Sequence, residues 1–202
     1  MDRLQQQLAF LREIDQFKDI ERLIPTQSGR LETDAEHTWH LAMYLMVFDA
    51  ELPSHLDRHK MLKLALIHDL AEIYAGDIYA FDEQGRVGKQ ERELVAAKEL
   101  FGMLPEDLCA EYVALFEEYE HKESEEARVV KAFDKLQPLM SHLISGGKLY
   151  KDNAINREIV EEYNKPHFGE NDFLASLNER LLDLLDENDV FSNERQLSLD
   201  DE

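Results

Sequence analysis

The stretch LALIHDLAEIYAGD, residues 64–77, decides how the rest of the chain is read. Leu62, Ala65, Leu66, Asp69 and Glu72 recur with the 3–4 rhythm of a helix, and Gly76 supplies its stop. The spacing predicts a helix from about Asp57 to Ala75 that is apolar on most sides and therefore central. Two polar side chains, His68 and Asp69, sit in its middle. An ionised carboxylate buried without a partner costs several kcal/mol or is driven neutral, and a divalent cation removes that conflict.

Working outward, Thr33 and Glu36 stand in the T-x-x-E arrangement of a capping box, so a second helix begins near Asp34 and carries His37, His40, Leu41, Tyr44 and Phe48. Ahead of it, Leu4, Leu8, Leu11 and Ile14 mark an amphipathic helix expected to reach about Leu23. Beyond the 77–89 loop, helices are expected over 90–101, from Pro105 to about His121, and from Ser124 to Gly146-Gly147 with a kink at Pro138. Two more follow, over about 155–163 and 171–185. No stretch reads as a strand. The expectation is an all-α bundle of about eight helices. It forms one domain over residues 1–185, followed by an acidic, mobile tail over 186–202.

Composition narrows the function. The net charge of −22 makes nucleic-acid polymers poor partners, while leaving room for a small anion held by local cations and a metal. Cys109 is the one cysteine, so neither an internal disulfide nor a thiolate zinc site is available. The first residues, MDRLQQQLAFLREIDQ, are charged throughout and offer neither a signal h-region nor an apolar span. A cytoplasmic protein without a membrane partner is expected.

His68 and Asp69 point about 100° apart on a helix, so they supply two ligands to one ion near the helix surface. His37, on another helix, and Asp134, in KAFDKLQPL (131–139), complete a His2Asp2 set. Such N/O donors suit one divalent transition metal, Mn, Co, Fe, Ni or Zn, better than Ca or Mg. Glu72, three and four residues beyond Asp69 and His68, shares their face and is assigned proton transfer. Asp77, after Gly76, is placed to hold water, Glu72 or a sugar hydroxyl. Arg22, Arg30 and Lys135 are the cations considered for a phosphate.

The pattern H…HD…D, with Glu three residues after the HD pair and then GD, resembles the HD-domain metal-dependent phosphohydrolases. The runs DAEHTWHLAM (34–43), KLALIHDLAEIYAGDI (63–78) and EARVVKAFDKLQPL (126–139) resemble its bacterial 5′-deoxynucleotidase branch. The resemblance implies a helical bundle and metal ligands at His37, His68, Asp69 and Asp134. It further implies catalytic and substrate roles at Glu72 and Asp77, phosphate binding by Arg22, and a homodimer. The substrate implied is a nucleoside 5′-monophosphate or another small phosphorylated molecule. Leu23 stands where that branch carries a Trp implicated in sugar discrimination, so ribose and deoxyribose are not distinguished.

A lone HD dipeptide is usually a structural hydrogen-bonded pair, and it is the company of Glu72, Asp77, His37 and Asp134 that favours a metal. His40 and His142 read as packing residues, as do Trp39 and Phe48; His55, His59 and His167 read as solvent-facing. A dinuclear oxygenase or phosphodiesterase needs further histidines, for which only His121 is available between the HD pair and Asp134. A metal-binding module without catalysis has no use for Glu72 and Asp77.

Overall fold

The computed structural model describes residues 1–168 and 171–192. Among these it is all-α apart from one short hairpin, with eight longer helices and two of four or five residues. In order they are α1 (Arg3–Glu13), α2 (Asp34–Val47), α3 (Arg58–Ile67), α4 (Glu72–Ala75), α5 (Lys89–Phe101), α6 (Glu106–His121), α7 (Glu125–Ser145), α8 (Lys148–Asp152), α9 (Arg157–Phe168) and α10 (Asp172–Glu187). Among the described residues no helix is long and apolar enough to cross a membrane.

The hairpin corrects the expectation of a strand-free chain. The first helix stops at Glu13 instead of reaching Leu23; a 3₁₀ turn, Ile14–Asp19, follows, and then β1 (Glu21–Pro25) pairs with β2 (Leu31–Thr33). The loop closes where Thr26 N donates to Arg30 O at 2.7 Å, with Gly29 at φ 86°. Three residues in β2 are too few for a period-two pattern to register. The expected apolar face of α1 also stays outside: Leu4, Leu8 and Leu11 are exposed, and Phe10 is the residue it buries.

Contacts group the chain into two compact units. The first comprises residues 1–23 and 32–131. Its core holds Leu41, Leu64, Ala65, Ala97, Leu100, Phe101, Phe116 and Tyr119, all under 2% exposed. Phe101 packs edge-on to Tyr112 and Phe116. α2 starts where expected, on a capping box in which Thr33 accepts from Glu36 N and Glu36 accepts from Thr33 N.

The second unit comprises residues 24–31 and the chain from 132 on. Its core is Phe133, Leu136, Leu139, Val160, Leu174, Leu182 and Leu185. α7 runs through Pro138 as one helical element, and α10 is capped by Asn171. Packed chain continues past residue 185, where the acidic tail was expected to begin. Val190 and Phe191 are buried, and Ser192 N donates to Ile155 O at 2.9 Å. The rest of that expected tail, 193–202, lies outside the described residues.

Candidate metal centre

The helix expected to run unbroken to Ala75 ends at Ile67, and the difference shapes the site. The amides of Leu70, Glu72, Ile73 and Tyr74 bond to carbonyls three residues back, Glu72 N to Asp69 O at 2.9 Å among them, and Gly76 closes α4 at φ 77°. In such a tightened turn, side chains three residues apart fall on one side of the chain. His68, the last residue before the break, has its Nδ1 2.8 Å from Ala65 O. A carbonyl only accepts, so Nδ1 carries the proton and Nε2 presents a lone pair.

That lone pair meets Asp69 Oδ2 at 2.9 Å, and His37 Nε2 stands 3.8 Å from the same oxygen. His37 and His68 are buried, and Asp69 is half-buried. Two acceptors at 2.9 Å repel unless a proton or a cation lies between them. Metal–ligand bonds of about 2.0–2.2 Å set donor atoms roughly 3–3.5 Å apart, close to the separations here. These three side chains are able to hold a divalent metal.

A second group, Asp34, Glu72 and Asp77, brings three carboxylates together beside the first. Asp34 is wholly buried and Glu72 2% exposed, and each keeps one oxygen, Oδ2 and Oε2, without a hydrogen-bond partner. Burial, reinforced by the Asp69 charge, pushes the Asp34 carboxyl up to about 7. Burial and the charges of Asp69 and Asp34 hold Glu72 well above the usual carboxylate range.

Two cations answer this charge. Arg22 NH1 lies 3.1 Å from Asp34, 3.2 Å from Asp69 and 3.9 Å from Asp77, with its Nε 3.9 Å from Glu32. Lys89 Nζ lies 3.1 Å from Glu72 Oε1 and also pairs with Glu93. Burial works against both cations, yet the surrounding carboxylates outweigh it and raise their pKa values.

The structure thus brings together six of the residues singled out or flanked by the sequence reading: Arg22, His37, His68, Asp69, Glu72 and Asp77. Asp134 belongs to the second unit, where it is buried on α7 with Lys135 Nζ 3.0 Å from its Oδ2. Arg22, expected to meet a phosphate, lies among carboxylates in this structure. Asp34 and Lys89 escaped the sequence reading. The Asp34–His37 spacing of one helical turn was the available signal for Asp34; Lys89 lies across a loop and gave none. Trp39, expected to pack, is 64% exposed, whereas His142 is buried against Tyr150 as expected.

The HD domain family model matches residues 14–175. The chain belongs to the HD domain family. This HD domain is 36% identical over 135 residues to 5′-deoxynucleotidase HDDC2 of Bos taurus, covering 66% of this chain and 64% of that protein. It is 35% identical over 135 residues to the Homo sapiens protein of the same name, covering 66% and 65%. The chain therefore spans just under two thirds of the length of these curated relatives. A crystal structure described as a predicted metal-dependent phosphohydrolase from Magnetospirillum magnetotacticum superposes with a TM-score of 0.87. It shares 34% identity and covers 94% of this chain and 96% of that one.

Proposed function

We propose that this HD domain is a metal-dependent phosphohydrolase that removes the 5′-phosphate from ribo- or deoxyribonucleoside monophosphates. The observation that carries the reading is the convergence of His68 Nε2 at 2.9 Å and His37 Nε2 at 3.8 Å on Asp69 Oδ2, with Glu72 one turn away. The relatives named as 5′-deoxynucleotidases support the substrate class. Leu23, 49% exposed beside Arg22, leaves both sugars within the proposal.

His37, His68 and Asp69 are the proposed protein ligands, and Asp134 is carried over from the sequence as the fourth. The metal is proposed from Mn, Co, Fe, Ni or Zn on the chemistry of the donors. A divalent ion held there lowers the pKa of a water from 15.7 toward about 7 and polarises a phosphoryl oxygen. Glu72, whose carboxyl burial and neighbouring charge hold above its ordinary range, would take a proton from a water held there and return it to the leaving 5′-oxygen. Ala65 O fixes the His68 tautomer through Nδ1. Arg22 and Asp77, proposed to meet the substrate, lie 3.9 Å apart, so a phosphate binding at Arg22 exchanges with its carboxylate partners.

Phosphate release is measured across a panel of ribo- and deoxyribonucleoside 5′-monophosphates and other small phosphate esters, with each metal added in turn. Release from nucleoside monophosphates, lost in Glu72→Ala while the metal stays bound, is expected. No release with any metal sinks the proposal. The second carboxylate group favours an alternative with two cations per chain. Arg22 already supplies positive charge to that group, and elemental analysis giving one metal per chain decides against the alternative.

A further inference from the structure

Glu72 occupies a difficult position. It sits on α4, a helix of four residues that follows a loosened turn, so its own element offers little framework. Asp34 and Asp77 bring carboxylate oxygens within 4.8 Å of its own, and with Asp69 they tend to push it away. The Arg22 guanidinium is spent on Asp34, Asp69 and Asp77. Among the described residues, Lys89 is the cation paired with Glu72.

Lys89 is built into place. It opens the 13-residue α5 immediately after Gly88, whose φ of 69° turns the chain out of the preceding loop. Glu93, one helical turn on and 7% exposed, holds the same ammonium from the other side. A lysine stem free in solvent samples many rotamers, and clamping it between two buried carboxylates fixes where its charge lies. α5 packs along α4, so the Glu93–Lys89–Glu72 chain ties the short helix to the longer one.

We propose that Lys89 is a positioning residue for Glu72, holding its carboxylate at the metal-binding group against the repulsion of Asp34, Asp69 and Asp77. The inference rests on the phosphohydrolase reading for its kinetic consequence and on geometry alone for its structural one. Misplacing a proton-transfer group by about 1 Å costs on the order of a hundredfold in rate.

Lys89→Met keeps the stem and removes the charge. It is expected to lower kcat about 10- to 100-fold, with KM within about twofold, metal content per chain unchanged and the fold intact by circular dichroism. Lys89→Arg recovers most of the rate, and Glu93→Gln, which loosens the clamp, lowers kcat a few-fold on the same pattern. These two variants carry the test if the Met variant does not fold. In a crystal structure of a Lys89 or Glu93 variant, the Glu72 carboxylate is displaced from its wild-type place. Wild-type kcat in Lys89→Met, a raised KM at intact kcat, or an unmoved Glu72 overturns the proposal. A wild-type chain that releases no phosphate sinks the phosphohydrolase reading instead, and the position of Glu72 still decides the role of Lys89.

Discussion

Both units of this HD domain bury polar side chains, but they settle them in opposite ways. In the second unit, Gln137 donates to Ser141 at 3.0 Å, Asn164 donates to Asn178 at 3.2 Å, and the His142 ring stacks on Tyr150 at 3.6 Å. These groups are neutral, and the buried acid of the same unit, Asp134, has the Lys135 ammonium 3.0 Å from its Oδ2. In the first unit, Asp34, Asp69, Glu72 and Asp77 face two cations and two imidazoles, with buried oxygens of Asp34 and Glu72 left without a hydrogen bond. Neutral polar groups that pair or stack, as these do, specify packing, although His142 Nδ1 has no hydrogen bond. Surplus buried carboxylate is costly unless a proton or a cation offsets it, so the imbalance is what sets the proposed metal centre apart.

The most damaging way to break this contrast is to remove a ligand. Asp69→Ala takes away the oxygen shared by His37 and His68, and we expect metal affinity to fall by at least about a hundredfold, with phosphate release falling below detection. Elemental analysis and metal titration check it; full metal content in the variant would show that the ion is held elsewhere. Glu72→Gln comes next. It should retain metal and lose about 10²–10⁴-fold in kcat. Activity within tenfold of wild type would remove Glu72 from the reaction.

This contrast was half legible in the sequence. His37, His68 and Asp69 stood out because such side chains are out of place in apolar helical runs, and Glu72 followed from its spacing. The break after Ile67 was not visible, because the residues between Leu64 and Gly76 carry no Gly or Pro to signal a stop. Asp34 looked like an ordinary acidic residue in a first helical turn, and Lys89 like an ordinary surface lysine; only the three-dimensional arrangement sets them against Glu72. Arg22 was noticed for its charge, but the four carboxylates around it are contributed from as far along the chain as Asp77. Trp39 misled because an aromatic in a helix usually packs, and here it lies on the outward face of α2.

The buried imidazole of the second unit should show itself through pH. Burial lowers the His142 pKa to about 3, against about 6.5 in an unfolded chain. The native ring stays neutral while the unfolded one binds a proton. Stability from this group is therefore complete above pH 6.5 and drains away as pH falls toward 3. Between pH 6.5 and 5 the loss is about 2 kcal/mol. Urea unfolding of wild type and His142→Phe over that range should show a shallower acid slope in the variant. Parallel slopes would mean that His142 is already protonated in the folded protein.

The smallest effect is expected where the second unit does carry charge. Arg157 on α9 reaches Glu161, Glu179, Asp183 and Asp186, four carboxylates around one guanidinium, which by count resembles Arg22 in the first unit. Exposure separates the two. The partners of Arg157 are 43–60% exposed, whereas those of Arg22 are at most 17% exposed. Water and salt therefore already screen the Arg157 cluster. Arg157→Gln should lower stability by about 1 kcal/mol at low ionic strength, lose most of that effect in 0.5 M salt, and leave kcat unchanged. Thermal melts at the two salt concentrations, with phosphate release measured alongside, test this. A large loss that persists in salt would mean that the cluster behaves as a buried one, and that exposure does not distinguish the two arginines after all.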